Sequence, residues 1–359
     1  MRKTILVLFL LGATGTNAQD LEKIYNNALG TLTEMLKDST KLSFKKAVMT
    51  VENAYLYGTL DTLVFNEEVN RLRSLAEAVY KNRTLLYQDS DSLKVRKNAA
   101  LFSIMTDTIP IKSSNGEVYK YIPFSYDFQD IWGRKKWENM FVSKLMATGK
   151  GNCHSLPYLY KILAEEMGTD AYLALAPNHV YIKQKNKKDG WYNTELTSGI
   201  FPNDGWLMAS GYIHLDAIAN KLYMEALNDK QSIAMCIIDL AEGYNRVFPV
   251  NDGTFPIAAC DIALQYYPHY INGKILRVET LKKAFEKKIK EEYGEFTKKV
   301  YKNEDYNNVF LVMQDEYIAI HNSGYRRMPE EMYLNWLTSF DQEREKYLNK
   351  EITNRNKSN

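Results

Sequence analysis

A glycine-rich break at residues 149–155, Gly-Lys-Gly-Asn-Cys-His-Ser, is the feature that most constrains how this chain folds. It follows a stretch with apolar residues on one helical face (130–146) and precedes a second amphipathic stretch (156–167). This pattern predicts a helix, a glycine stop and a new helix. Cys153 therefore stands at the N-terminal end of a helix, after glycines that let the backbone approach a substrate closely.

Three short strand patterns follow the second helix, at residues 171–175, 179–184 and 191–197. A charged turn at 185–190 separates the last two and favours an antiparallel hairpin. Alternation along the strands places His179 on the less apolar face of its strand. It also places Glu195 on the same face as Asn193. A histidine and a carboxylate thus follow the cysteine on adjacent strands.

A thiol, an imidazole and a carboxylate are the parts of a nucleophilic catalyst. A helix N-terminus lowers the pKa of a thiol, and the N–H of Cys153 can face a developing oxyanion. His179 would transfer the proton, and Glu195 would accept its other ring N–H and fix its tautomer. Each residue also has a structural reading: a buried cysteine, a satisfied histidine and an exposed strand glutamate. Asn193 is a rival of Glu195 as the orienting residue.

The ordered set resembles the transglutaminase-like (papain-like) superfamily of cysteine enzymes. The family pattern is Gly-x-Cys opening a helix, a histidine on the following strand region, and an acid within Trp-x-x-x-Asp-x-Thr. This chain supplies Gly151-Asn152-Cys153, His179 and Trp191-x-x-x-Glu195-x-Thr197, with glutamate in place of the usual aspartate. The resemblance covers roughly residues 130–200. It implies an α+β, papain/transglutaminase-like core with an antiparallel sheet, and a peptide or protein substrate.

Five regions are predicted along the chain. They are a signal peptide (1–18), an N-terminal helical region (19–105), a transglutaminase-like core (106–225), a tetratricopeptide-like helical region (226–296) and a C-terminal helical tail (297–359). The tetratricopeptide resemblance rests on two predicted helices, 231–248 and 256–267, followed by Pro268. These C-terminal helices are the expected surface for a protein partner. Met328-Pro329-Glu330-Glu331 is predicted to open a helix within the tail.

The first 18 residues have a basic start, a short apolar run and a small residue before Gln19, a pattern typical of a secretory signal peptide. That run is too short to span a bilayer, and no later stretch is long and apolar enough to do so. We therefore expect an exported protein, periplasmic or secreted, without a membrane span. Removing Arg2 and Lys3 takes the formal charge from +2 to zero, which argues against binding of nucleic acid.

Three cysteines are an odd number, so at least one thiol stays free in an oxidising compartment. Cys236 and Cys260 either pair with each other or are small buried hydrophobic residues, and we favour the second reading. His214, His269 and His321 lack the spacing of metal ligands. No glycine loop of the phosphate-binding kind is present. We expect neither a metal nor a cofactor.

Other residues near the thiol carry smaller expectations. Asn152 and His154 either line the cleft or cap the helix. The side chains of Gln129, Trp132 and Trp137 are candidates for an oxyanion donor or a substrate wall, although core packing is the more common role of tryptophan. The loop at 198–206 either forms one side of the cleft or is an ordinary connection.

The sequence thus predicts an exported cysteine hydrolase that cleaves an amide or peptide bond through a thioester. Resemblance to bacterial relatives favours hydrolysis over transamidation. The alternative is a catalytically inactive transglutaminase-like scaffold whose helical regions bind a protein or peptide partner. The large helical share of the chain on both sides of the core supports that alternative.

Overall fold

The computed structural model of the chain describes residues 18–113, 115–210, 212–294, 300–339 and 342. This part of the chain is a mixed α+β protein, mainly helical with small β-sheets. Residues 1–17 of the predicted signal peptide lie outside the described residues. None of the described helices is both long and apolar enough to cross a membrane.

The α-helices are α1 (Ala18–Leu36), α2 (Phe44–Tyr55), α3 (Thr62–Asn82), α4 (Ser92–Thr106), α5 (Val142–Thr148), α6 (Ser155–Met167), α7 (Asp204–Ser210), α8 (Leu215–Ala219), α9 (Asp229–Val247), α10 (Thr254–Tyr266), α11 (Ile271–Tyr293) and α12 (Glu304–Asn322). Two short 3-10 helices span Trp137–Met140 and Val300–Lys302. The strands are β1 (Ile109–Lys112), β2 (Val118–Tyr121), β3 (Ser125–Tyr126), β4 (Lys150–Gly151), β5 (Tyr172–Ala176), β6 (His179–Asn186) and β7 (Gly190–Thr194). Residues 330–339 are also helical, as predicted after Met328-Pro329.

The described residues form two compact units. The first unit contains Asp61–Ile213 and the described residues from Arg327 onward, and the second contains the described residues up to Leu60 together with His214–Arg326. Within the predicted N-terminal region, α1 and α2 pack on α9, whereas α3 and α4 pack on α6. The apolar stripe of a helix shows that the helix packs against a partner but does not identify that partner. The division into two units therefore cannot be derived from the order of the helices along the chain.

Helix α6 is the central element of the first unit. Helices α3, α4 and α5 contact it, as do strands β5 and β6. Apolar side chains lie all round this helix, and nearly all of them are buried; they include Leu156, Tyr158, Leu159, Tyr160, Ile162 and Leu163. A helix that is apolar on every side needs neighbours on every side. Cys153, which lies two residues before α6, is therefore attached to a helix that is packed on all sides.

Strands β5, β6 and β7 form an antiparallel sheet in that order, which confirms the predicted hairpin. The turn between β5 and β6 consists of Pro177 and Asn178, and Asn178 has a positive φ of 59°. His179 opens β6 directly after this turn. The register between β6 and β7 pairs Ile182 with Thr194, so Glu195 follows β7 on the face that carries His179.

In the second unit α9 packs against α1, α2 and α10, and α10 packs against α11. Helix α11 in turn contacts α12. The predicted helices at 231–248 and 256–267 correspond to α9 and α10, which do pair. Asn228 begins α9 with a reciprocal capping box that also involves Gln231, a strong start signal for a helix.

The prediction of one continuous helix over 130–146 is wrong. Asp130 accepts hydrogen bonds from the backbone N–H groups of Arg134 and Lys136, both at 2.9 Å, and this closes a loop. Gly133 within the loop has a positive φ of 60°. An aspartate that bonds to nearby backbone competes with the helical hydrogen bonds. Only the second half of the segment forms helix, as a 3-10 turn followed by α5.

Packing requires glycine at position 151, and the expectation that Gly151 lets the backbone approach a substrate stays a prediction. A Cβ at this position would lie 2.6 Å from Ser155 Oγ and 2.7 Å from Leu145 Cδ1. Both contacts are shorter than real Cβ contacts, so α5 and the start of α6 leave room for glycine alone. Gly149 does have its predicted role, since it ends α5 with a φ of 72°.

We expect Gly151→Ala to lower the free energy of unfolding by about 1 to 3 kcal/mol, as overpacking does in well-packed interiors. Gly30→Ala is the matched control, because this glycine is exposed in α1 and a Cβ there meets nothing within 4 Å. It should stabilise the protein by about 0.5 to 1 kcal/mol, the helix preference of alanine over glycine. Urea denaturation followed by circular dichroism measures both. Equal midpoints for wild type and Gly151→Ala would contradict the packing argument.

Candidate active site

Cys153 lies just before α6, where the side chain of Asn152 caps the helix. Asn152 Oδ1 accepts hydrogen bonds from the backbone N–H groups of His154 and Ser155, both at 3.0 Å. Its Nδ2 donates to Ile131 O at 3.1 Å. Of the two roles considered for Asn152, capping is therefore the one it has. The backbone around the thiol is fixed, and Cys153 is only 8% exposed.

The imidazole of His179 is in direct contact with the carboxylate of Glu195. His179 Nε2 lies 2.6 Å from Glu195 Oε2. The other carboxylate oxygen, Oε1, accepts the backbone N–H of Thr197 at 2.7 Å. Both side chains are buried, with exposures of 3% for His179 and 2% for Glu195. Each oxygen of the buried carboxylate thus has a hydrogen-bond donor, as burial of a charge requires.

Asn193, the predicted rival of Glu195, is engaged elsewhere. Its Nδ2 donates to Pro202 O at 3.0 Å and to Asp204 Oδ1 at 2.7 Å. The amide therefore ties β7 to the start of α7. Glu195, and not Asn193, contacts the imidazole.

Tyr333, which was not among the residues predicted from the sequence, contacts both the thiol and the imidazole. Its hydroxyl donates to Cys153 Sγ at 3.3 Å and lies 3.2 Å from His179 Nδ1. The side chain is completely buried, with 0% exposure. The thiol and the imidazole therefore meet at one hydroxyl group, and this hydroxyl comes from a segment 180 residues beyond the cysteine.

A signal for this segment was present in the sequence. Tyr333, Trp336 and Leu337 have the spacing of one helical face, and all three are buried while Met332 and Leu334 are exposed. The spacing predicts that this face is covered. It does not identify the surface that covers it, so the segment was assigned only to a helical tail.

The hydrogen bonds that Tyr333 and Glu195 make with His179 fit a charged imidazole ring. When the single hydroxyl proton of Tyr333 is directed to Cys153 Sγ, its oxygen accepts a hydrogen bond from His179 Nδ1–H. The carboxylate of Glu195 only accepts, so Nε2 carries a proton as well. These contacts are satisfied together when His179 is an imidazolium. A positive ring beside the sulfur favours the thiolate.

The pKa shifts have the same direction. Burial by itself would raise the pKa of Cys153, but the hydrogen bond and charge of His179, assisted by Tyr333, outweigh it and hold the thiol pKa below its ordinary value. Burial would lower the pKa of His179, and the charge of Glu195 and the contact with Cys153 raise it instead, to about 10. Burial would raise the pKa of Glu195, yet the charge of His179 keeps it low.

The other two cysteines behave differently, although they are buried too. Cys236 and Cys260 are both free, so the reading of small buried hydrophobic residues is confirmed. Burial raises the pKa of Cys260 to about 12. Burial, assisted by nearby carboxylates such as Asp261, thus keeps the Cys260 thiol neutral, and Cys153 differs because His179 lies beside it.

The aromatic residues around the site have two kinds of role. Trp137 is buried in the core. Trp132 packs on Tyr333 with ring centroids 4.9 Å apart, and Trp206, in the first turn of α7, stacks on Trp336 at 6.4 Å. Trp132 and Trp206 therefore both pack against the aromatic residues that contact His179.

His154 and Gln129 both make local contacts. His154 Nδ1 lies 2.9 Å from Met140 O, and its ring packs on Tyr158 at 3.9 Å. The charge of His154 also contributes to the lowered pKa of Cys153. Gln129 is exposed, and its backbone N–H bonds to Asp127.

Two donor groups lie beside the thiol. The backbone N–H of Cys153 makes no hydrogen bond with any described residue. The hydroxyl of Tyr126 is buried and interacts with Cys153 and Tyr333. Strand pairing aligns Tyr126 with Gly151, two residues before the cysteine. Burial raises the pKa of Tyr126, and the charge of Cys153 raises it further. The sequence predicts the first donor, whereas the second depends on the strand pairing.

Within the described ranges no group of three or more His, Cys, Asp or Glu side chains is placed to hold a metal ion. Searches of family profiles, curated proteins and solved structures gave no match to this chain.

The substitution Glu195→Gln should raise the pKa of the Cys153 thiol. Loss of the carboxylate charge lowers the pKa of His179, and a neutral ring no longer stabilises the thiolate, so the thiol ionises at higher pH. The wild-type midpoint should lie below that of an ordinary cysteine. The measurement is the ultraviolet absorbance of the thiolate during a pH titration, corrected with the same protein carrying Cys153→Ser.

Glu165→Gln is the control for this titration, because Glu165 is exposed on α6, the helix that follows the thiol. Its midpoint should equal that of the wild type. If Glu195→Gln also leaves the midpoint unchanged, the carboxylate does not act on the thiol through the imidazole.

Proposed function

We propose that the protein is an exported, transglutaminase-like cysteine enzyme that hydrolyses an amide or peptide bond through a thioester on Cys153. The observation that carries the proposal is the buried 2.6 Å contact between His179 and Glu195 beside a thiol with a lowered pKa. A cysteine before a buried helix, followed by an antiparallel sheet that carries the histidine and the acid, is the arrangement that the papain-like resemblance implies.

In the first half of the reaction the thiolate of Cys153 attacks the carbonyl carbon and forms a carbon–sulfur bond. The carbonyl electron pair moves to oxygen, and it returns when the carbon–nitrogen bond breaks. His179 Nδ1 gives its proton to the leaving amine, while Glu195 holds the ring at Nε2. The products of this half are a thioester on Cys153, a free amine and a neutral imidazole.

In the second half the neutral imidazole of His179 accepts a proton from water. The resulting hydroxide adds to the thioester carbonyl, and the carbon–sulfur bond breaks to release a carboxylic acid and the thiolate. The proton that His179 holds restores the imidazolium. The enzyme returns to its starting charge state, and the net reaction consumes one water.

The negative oxygen that forms in each half needs hydrogen-bond donors. The backbone N–H of Cys153 is one such donor, because it lies at the thiol and makes no hydrogen bond with another described residue. The hydroxyl of Tyr126 is a second donor once an oxyanion replaces its interactions with Cys153 and Tyr333. A preorganised donor that is unused in the resting protein stabilises an oxyanion without first breaking other bonds.

A second candidate function is partner binding by the helical unit, with an inactive core. A groove of about 380 Å³ between α11 and α12 supports it, since the apolar residues Phe285, Met313, Tyr317 and Ile318 line it. Tyr317 and Ile318 are 37% and 48% exposed. An inactive core has no requirement for a thiol of lowered pKa, so we place this candidate second.

Incubation with an activated ester such as p-nitrophenyl acetate should acetylate Cys153, as located by peptide mass mapping. Cys153→Ala should abolish acetylation at this site and the accompanying release of nitrophenol. His179→Ala should slow acetylation by about a hundredfold or more, because a positioned acid–base group contributes that much. Cys260→Ser is the control and should react as the wild type does. Equal nitrophenol release by wild type and Cys153→Ala would exclude the proposed nucleophile.

A further inference from the structure

We propose that residues 328–339, here called the C-terminal segment, are an intramolecular inhibitor that occupies the substrate cleft and keeps the enzyme closed. This inference rests on the proposed function, since a cover has consequences only over a reactive thiol. The segment begins at Met328, forms the helix at 330–339 and belongs to the same compact unit as Cys153.

The hydroxyl of Tyr333 occupies the position that a substrate must take. It lies 3.3 Å from Cys153 Sγ and 3.2 Å from His179 Nδ1. A carbonyl group under attack has to come within about 3 to 3.5 Å of the sulfur, with its leaving nitrogen near Nδ1. Both requirements point to the space that the hydroxyl fills. Substrate and Tyr333 therefore exclude each other.

Aromatic contacts extend this occupancy beyond the reacting atoms. Trp336 meets the ring of His179 edge-on, with centroids 5.0 Å apart, and stacks on Trp206. Tyr333 packs on Trp132 on the other side. Tyr333 and Trp336 are both buried, so the cleft binds two aromatic side chains of the chain itself. A peptide with aromatic side chains is the kind of ligand that can compete for these positions.

Polar contacts hold the beginning of the segment at the rim. Glu330 and Arg134 form a two-pronged ion pair with distances of 3.1 and 2.5 Å. Asn178 Nδ2 donates to Met328 O at 3.4 Å. Glu330 and Arg134 are about half exposed, and an exposed pair of this kind contributes little energy. The rim contacts therefore position the segment, and the buried aromatic face supplies most of its stability.

The C-terminal segment can dissociate from the cleft as a single unit. A helix of this length is only marginally stable alone in water, so it persists because Tyr333, Trp336 and Leu337 are packed in the cleft. Its opposite face, with Met332 and Leu334, is exposed. Loss of the cleft contacts therefore releases the whole segment, which is a local opening and does not require global unfolding.

The test is the rate of alkylation of Cys153 by iodoacetamide as a function of pH, read by peptide mass mapping on the full chain. The midpoint of this profile reports the thiol pKa and so tests the proposed function. The plateau at high pH reports access to the sulfur and so tests the inhibitor. The two hypotheses are therefore separated within one experiment.

Trp336→Ala should raise the plateau by about tenfold or more, because it removes the largest buried side chain of the segment and populates the open state. Leu334→Ala is the matched control on the same helix. Its side chain is 41% exposed, and its plateau should equal that of the wild type. A wild-type plateau as high as that of Trp336→Ala would overturn the inference, whatever the midpoint is.

A second pair of variants changes only the partly exposed residues Glu330 and Arg134 and leaves the buried side chains of the segment unchanged. Glu330→Arg places like charges opposite each other at the rim and should raise the plateau several-fold. The double exchange Glu330→Arg with Arg134→Glu restores the attraction and should return the plateau to the wild-type level. If Trp336→Ala does not fold, as judged by circular dichroism, this pair decides alone. Equal plateaus in wild type, single and double variant would then refute the inhibitor.

Discussion

His179 and Glu195 form a hydrogen bond while both side chains are buried. Burial of two ionisable groups has a desolvation cost, and the rest of the site depends on the contacts that offset this cost. Each charge is satisfied in the interior: Nε2 by Glu195 Oε2, Oε1 by the N–H of Thr197, and Nδ1 by Tyr333. Removal of one partner from a buried pair costs about 3 to 5 kcal/mol, because the remaining charge is stranded. The contact between His179 and Glu195 therefore forms only with the observed β6–β7 register and the short turn after β7.

The consequence of this pair for the thiol is visible in the contrast between two buried cysteines. Cys260 has no cation in direct contact that outweighs burial, and the pKa of its thiol rises. Cys153 is buried as well, yet the imidazolium reverses the sign of the shift. The helix N-terminus, on which the sequence argument relied, contributes in the same direction. The dominant favourable cause is nevertheless His179, which is held in its charged state by Glu195.

Local patterns were sufficient to find the residues that lie near one another in sequence or on paired strands. The glycine stop, the start of α6 and the hairpin each follow from backbone chemistry within a few residues. Strand alternation placed His179 on the less apolar face of its strand and Glu195 on the same face as Asn193, and the structure has His179 and Glu195 in contact. It could not choose between Glu195 and Asn193, because the choice depends on Asp204 and Pro202, which capture the amide of Asn193.

Features that depend on distant contacts could not be read in this way. The loop at Asp130 looked helical because its apolar spacing is helical, and the competing side-chain bonds to backbone were not recognised. The division into two units depends on which amphipathic faces meet. The insertion of Tyr333 depends on the fit between its helix and a cleft formed by residues far earlier in the chain. A periodic apolar face indicates that another part of the protein packs against it, but tertiary packing decides which part that is.

The chemical nature of the group that covers the sulfur explains how a closed site can remain poised. An apolar cover would leave the thiolate with His179 as its neighbouring side-chain donor only, and desolvation would favour the neutral thiol. The hydroxyl of Tyr333 adds a second donor to the sulfur and accepts from the imidazolium, which supports the ion pair of Cys153 and His179 beneath it. Under the proposed inhibition, opening needs only the displacement of a short helix. Under the proposed mechanism, the proton is already on His179 when the sulfur meets a substrate, and water or an incoming carbonyl takes over the contacts that the hydroxyl gives up.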